Sequence, residues 1–113
     1  KQASKSGAIY TVPSGGVSRV VHCLRFPTAA CPVSRNPVLG CVRIAYAPAD
    51  QVAEVVALDQ WIAELAKPRA GNPRNVEGMA TRMSADLRAA LGVPVVVDLY
   101  LLVRPWQILH VRA

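Results

Sequence analysis

The chain has 113 residues, 52% hydrophobic and 18% charged, and thirteen Lys and Arg against seven Asp and Glu give a formal charge of +6 at pH 7. A chain of this size is expected to form one domain around one core, with roughly two-thirds of its unfolded surface buried on folding, and to leave no room for a second domain. Its three cysteines, Cys23, Cys31 and Cys41, are odd in number and not closely paired in spacing, and no secretory leader or bilayer-length apolar run is visible; these features argue against a disulfide scaffold and a membrane protein and predict a soluble, cytoplasmic chain.

Residues 1–16 end in Pro13-Ser14-Gly15-Gly16 without a sustained period. They read as a flexible arm or edge strand, so the domain proper is assigned to residues 17–113. Val17 to Phe26 and Leu39 to Ala47 are rich in β-branched and apolar residues with partial alternation, which predicts two strands, paired antiparallel. The stretch between them, Pro27 to Val38, exceeds a tight hairpin and reads as a loop with room for function. Asp50 is expected to cap a first helix on which Val52, Val55, Val56, Leu58, Trp61, Ile62 and Leu65 form one broad face, closed by Lys67-Pro68. After a polar loop, Asn75 is expected to cap a second helix from Val76 to Leu91, ended by Gly92 and carrying the core stripe Met79, Met83, Leu87 and Leu91. Val95 to Val103 and Trp106 to Val111 then read as a closing hairpin.

The order ββααββ predicts an α+β fold, an antiparallel four-stranded sheet with two helices on one face. In Val95-Val96-Val97 and Leu101-Leu102-Val103 both alternating positions are apolar. The helix-free face is therefore expected to be covered by a second subunit or by closure into a barrel, making the chain a homo-oligomer. The positive charge favours an anionic partner. Basic residues, among them Arg19, Arg43, Lys67, Arg82 and Arg104, are scattered without a continuous stripe or an aromatic platform, so a dedicated nucleic-acid surface is not expected, while affinity for phosphate stays open.

The loop holds the main chemical signal. In Thr28-Ala29-Ala30-Cys31-Pro32-Val33-Ser34-Arg35-Asn36-Pro37 a cysteine sits among three prolines, counting Pro27 just before the run. Proline holds backbone away from helix and ladder pairing, so Cys31 is expected on a stiff loop facing a cavity, as suits a nucleophile. The alternative is a buried thiol acting as a small hydrophobe. No Gly-rich phosphate loop or Gly-x-Ser-x-Gly elbow occurs, and a metal site built from Cys23, Cys31, Cys41, His22 and His110 lacks the usual ligand spacing. No metal is expected.

From about Val17 to Val111 the element order and this loop resemble the tunnelling-fold (T-fold) enzymes, and most closely the 7-cyano-7-deazaguanine reductase family. That family reads Thr-Ser-x-Cys-Pro-x-Thr-Gly-Gln-Pro-Asp before a strand ending in Tyr-x-Pro. This chain has Thr28 to Val38 and then Tyr46-Ala47-Pro48 at matching distances. The resemblance implies that Cys31 adds to a substrate nitrile as a covalent thioimide, aided by cations such as Arg35 or Arg25 that would lower its pKa. It further implies that Glu77, at the start of the second helix, holds the edge of a guanine-like base, with Glu54 and Arg35 also in the substrate site. The alternative role for Glu77 is stabilisation of the helix dipole.

Departures from the family shape the expected reaction. The family's general acid falls at Val38, its histidine beside the glutamate falls at Val76, and its two phosphate-binding lysines fall at Val56 and Asp59. A family arginine on the cofactor side is matched by Arg104, followed by Pro105 and Trp106 instead of glycines. NADPH would lose its charge-assisted contacts and meet a repelling carboxylate, so no cofactor is expected. A shorter branch of the family lacks the cofactor motif and adds ammonia to the nitrile of a modified transfer RNA base, an amidinotransferase reaction. The expected function is therefore a cysteine enzyme that passes a 7-deazapurine thioimide to an amine or ammonia, with the free purine-like nitrile or a tRNA base as partner. With Val38 unable to give a proton, His22, Asp98, His110 and Glu77 are the candidates to move one. The alternatives are an NADPH-dependent nitrile reductase and a non-catalytic purine- or pterin-binding module.

Overall fold

The computed structural model describes residues 8–30, 37–67, 70–73, 75–104 and 107–113. In chain order the elements are β1 (Thr11–Pro13), β2 (Val20–Ala30), β3 (Pro37–Tyr46), β4 (Gln51–Ala53), α1 (Val55–Leu65), α2 (Val76–Leu91), β5 (Val95–Arg104) and β6 (Gln107–Arg112). Four strands form one antiparallel sheet in the order β2-β3-β5-β6, and β1 pairs with β4 in a separate two-stranded sheet. The molecule is α+β, as its sequence order implies.

Alternation along the strands sorts the sheet into two faces. Val42, Ile44 and Tyr46 of β3 and Val95, Val97, Leu99 and Leu101 of β5 are buried. They pack in one cluster with Leu58, Trp61, Ile62 and Leu65 of α1 and Met79, Met83, Leu87 and Leu91 of α2. Full burial of one such aliphatic side chain contributes about 1.5–3 kcal/mol. At Gly40 the strands come so close that a Cβ would collide with the Tyr100 carbonyl and the Leu101 side chain.

Helix α2 forms as its sequence dictates. The Asn75 side chain accepts from the Gly78 N–H, and Gly92 ends the helix in the left-handed region at φ 70°. Arg88 and Ser84 donate to the Val95 carbonyl and tie the helix to the start of β5. At the end of α1, Asn72 donates to the Glu64 and Lys67 carbonyls, satisfying groups that a helix terminus leaves open.

Three expectations need correction. Asp50 does not cap α1: Glu54 does, accepting from Val56 and Ala57, and Gln51–Ala53 is the short strand β4. Val52 is thus outside the helix, and Val55 and Val56 are 62% and 59% exposed, so the buried stripe begins at Ala57 and Leu58. Both ends of the expected loop from Pro27 to Val38 are strand, with β2 running to Ala30 and β3 starting at Pro37, and residues 31–36 lie outside the described residues. Pro27 fits there because the β2–β3 register shifts between Phe26 and Ala29, and such an irregularity tolerates a residue without an N–H. The first strand starts at Val20 and not at Val17. Ahead of it, β1 is held to β4, and the Glu54 N–H donates to the Tyr10 carbonyl.

Candidate functional site

The helix-free face of the sheet carries a charged network. Asp98 on β5 lies opposite Arg43 of β3 and Arg112 of β6, and Tyr100, two residues on, lies opposite Cys41 and His110. Two-residue alternation puts all of these on one face. The Asp98 side chain is fully buried, with Arg112 Nε donating to Oδ1 at 2.8 Å and Nη2 to Oδ2 at 3.4 Å. His110 Nε2 donates to Oδ1 at 2.7 Å, and Arg43 Nη1 lies 3.9 Å from Oδ2. The His110 ring stacks on Tyr100, with centroids 4.4 Å apart and planes 4° from parallel.

Burial alone would push the Asp98 carboxyl up. The hydrogen bonds and charges of Arg112 and His110 outweigh it and hold the carboxyl below the usual range. An ionised carboxylate only accepts, so the His110 proton sits on Nε2.

Beside this network a concavity of about 370 Å3 opens where β2 begins, β3 ends and β5 begins. Arg19, Arg43 and Arg112 provide its charge, and Ala45, Pro94 and Val96 provide apolar wall.

The other histidine belongs to the opposite face. His22 Nε2 lies 2.9 Å from the Tyr46 hydroxyl, which accepts from the Ala53 N–H at 2.9 Å. The Tyr46 proton is therefore free to go to His22 Nε2. This link joins β2, β3 and β4, and burial lowers the His22 pKa, favouring its neutral form. Of the four candidate proton movers, Asp98 and His110 form a pair, while His22 pairs with Tyr46.

Cys31 and Arg35 fall outside the described residues, between the last residue of β2 and the first of β3. Glu77 is exposed in the first turn of α2, and Glu54 uses its carboxylate to cap α1. Arg104 ends β5, its backbone opposite Gln107. Val56 and Asp59, at the positions of the family's lysines, are both exposed on α1. Cys23 and Cys41 are free thiols exposed on the helix-free face.

Among the described residues no group of three or more His, Cys, Asp and Glu could hold a metal ion, and no helix is long and apolar enough to cross a membrane. The convergence of Arg19, Arg43 and Arg112 was not foreseen from sequence. Alternating charge in Asp98/Tyr100 and His110/Arg112 marks the face, but only the strand register brings the residues together. No protein-family model matches the chain, and no curated protein matches it either.

Proposed function

We propose that the chain is a T-fold enzyme that captures a 7-deazapurine nitrile on Cys31 and passes the resulting thioimide to ammonia or another amine. The observation that carries this reading is the coincidence of motif and topology. The Cys31-Pro32 segment follows directly on β2, Tyr46 ends β3, and two helices separate this strand pair from the closing pair β5–β6. Exposed Val56 and Asp59 offer no cation to a cofactor phosphate, which favours transfer over reduction.

In the first step the Cys31 thiolate forms a C–S bond to the nitrile carbon. One π pair moves to nitrogen, which takes up a proton that Val38 cannot supply. In the second step the amine nitrogen adds to the same carbon and gives up one proton, the C–S bond breaks, the thiolate leaves with the bonding pair, and an amidine remains. No electron is gained or lost, so the sequence of steps requires no reductant. Glu77, exposed at the start of α2, would accept hydrogen bonds from the base's amino and ring N–H edge. Exposed Leu102 and Ile108, paired with each other at the end of the helix-free face away from Arg43 and Val96, support an assembly in which a further copy covers that end of the face.

Incubation with 7-cyano-7-deazaguanine should add the full mass of the nitrile to the intact chain and add nothing to Cys31→Ala. Supplying ammonia should then release the amidine, and supplying NADPH should yield no amine. Tight binding without an adduct would make the chain a binding module instead, and formation of the amine would restore the reductase reading.

A further inference from the structure

We propose that the concavity between Arg19, Arg43 and Arg112 binds a small organic phosphate. This does not rest on the reading of Cys31. The concavity lies at the start of β2, whereas Cys31 follows that strand's far end, eleven residues of extended chain away. At about 3.3 Å per residue the strand carries its last residue, Ala30, roughly 35 Å from its first.

Charge carries the argument. Three guanidiniums line the concavity, and the carboxylate among their partners is Asp98, which offsets one of them. Arg112 spends two of its donors on Asp98, while Arg43 makes only the 3.9 Å approach. Arg19 makes no hydrogen bond or ion pair among the described residues. Donors are therefore left over on the residues that line the space, because a guanidinium offers five N–H groups. An excess of about two positive charges matches a phosphomonoester, which carries close to two negative charges near pH 7.

Asp98 has a positioning role here. Being buried and already ionised, it fixes the Arg112 fork from below, so the arginine meets an incoming anion preorganised.

Shape indicates what accompanies the phosphate. The volume of about 370 Å3 exceeds what inorganic phosphate fills and lies in the range of small-molecule sites. Buried Ala45, partly exposed Val96 and Pro94 give an apolar wall against which the organic part can rest. A long nucleic-acid strand would instead call for a continuous basic track with stacking aromatics.

The test is calorimetric titration of the full chain, at fixed ionic strength, with phenyl phosphate, inorganic phosphate, phenol and a single-stranded RNA oligomer. Phenyl phosphate should saturate one site per chain, bind more tightly than inorganic phosphate, and lose at least tenfold in affinity in Arg43→Ala and in Arg19→Ala. Arg19 is exposed and outside every strand, so its removal leaves the fold intact and keeps the test decisive should Arg43→Ala unfold. Inorganic phosphate binding as tightly as phenyl phosphate through the same arginines would overturn the organic part of the assignment and leave a free-phosphate site. RNA binding without phenyl phosphate binding, or affinities indifferent to both substitutions, would overturn it altogether.

Discussion

On one face of the sheet Val42, Ile44, Val97 and Leu99 are sealed beneath two helices; on the other, their sequence neighbours Arg43, Val96 and Asp98 line an arginine-rich concavity or its rim. The covered face is held by burial of apolar area, which is non-directional and large. The helix-free face holds the buried Asp98 carboxylate by fixed hydrogen bonds, which are directional and salt-sensitive. Stability and chemistry are thus allotted to different sides of the same strands. Substitutions on the two sides should differ in size and in their dependence on pH.

The largest effect belongs to the covered face. Leu99→Ala should cost about 2–5 kcal/mol by denaturant unfolding, because Leu99 is fully buried and its removal leaves a cavity. A cost near zero would mean that the core is not packed as described. Asp98→Asn should cost roughly 1.5–3 kcal/mol, since it weakens charge-assisted hydrogen bonds at a fully buried side chain. Asp98 is held below its unfolded pKa. Its stabilisation is therefore full above about pH 4 and lost as pH falls through the folded value, and Asp98→Asn should flatten the wild-type curve in that acid range.

Glu54→Ala should cost about 1 kcal/mol through loss of the α1 cap, with Glu54→Asp or Glu54→Ser recovering part of it. An unchanged midpoint would show the cap to be inert. His22 gives a pH signal in a separate window. Burial sets its folded pKa below the unfolded value, so the unfolded chain binds more protons once the pH drops under about 6.5. Stability should be full above that point and decline towards the folded pKa, and His22→Gln should remove the slope. Leu102→Ala, at a residue 43% exposed on the helix-free face, should shift the stability of the single chain by no more than about 0.5 kcal/mol. A loss approaching that of Leu99→Ala would erase the contrast between the faces.

How much was legible in the sequence depended on range. Helix α2 could be read whole because its cap Asn75, its four-residue stripe and its terminator Gly92 all act within the helix or one residue of it. The start of α1 was misplaced because Asp50 and Glu54 both carry a capping carboxylate, and Val52 falls three residues before Val55 as a helical residue would. Only the pairing of β4 with the distant β1 shows that Val52 is in a strand. Pro27 marked the end of a strand by the usual rule, yet it sits within β2 beside a register shift that no local pattern announces. The arginine concavity was invisible for the same reason, since Arg19, Arg43 and Arg112 are dispersed along the chain and meet only through registry. The Cys31 motif is read from local residues and prolines alone, and it lies outside the described residues.

The central claim is selective reactivity at Cys31, and the chain carries its own controls. Cleavage after arginine places Cys23 in residues 20–25, Cys31 in residues 26–35 and Cys41 in residues 36–43. Native alkylation should therefore be followed for all three thiols, with and without 7-cyano-7-deazaguanine, and read peptide by peptide. The account expects the nitrile to protect residues 26–35 while Cys23 and Cys41, exposed on the helix-free face, are labelled at unchanged rates. Equal labelling of Cys31 in the presence and absence of the nitrile would contradict it.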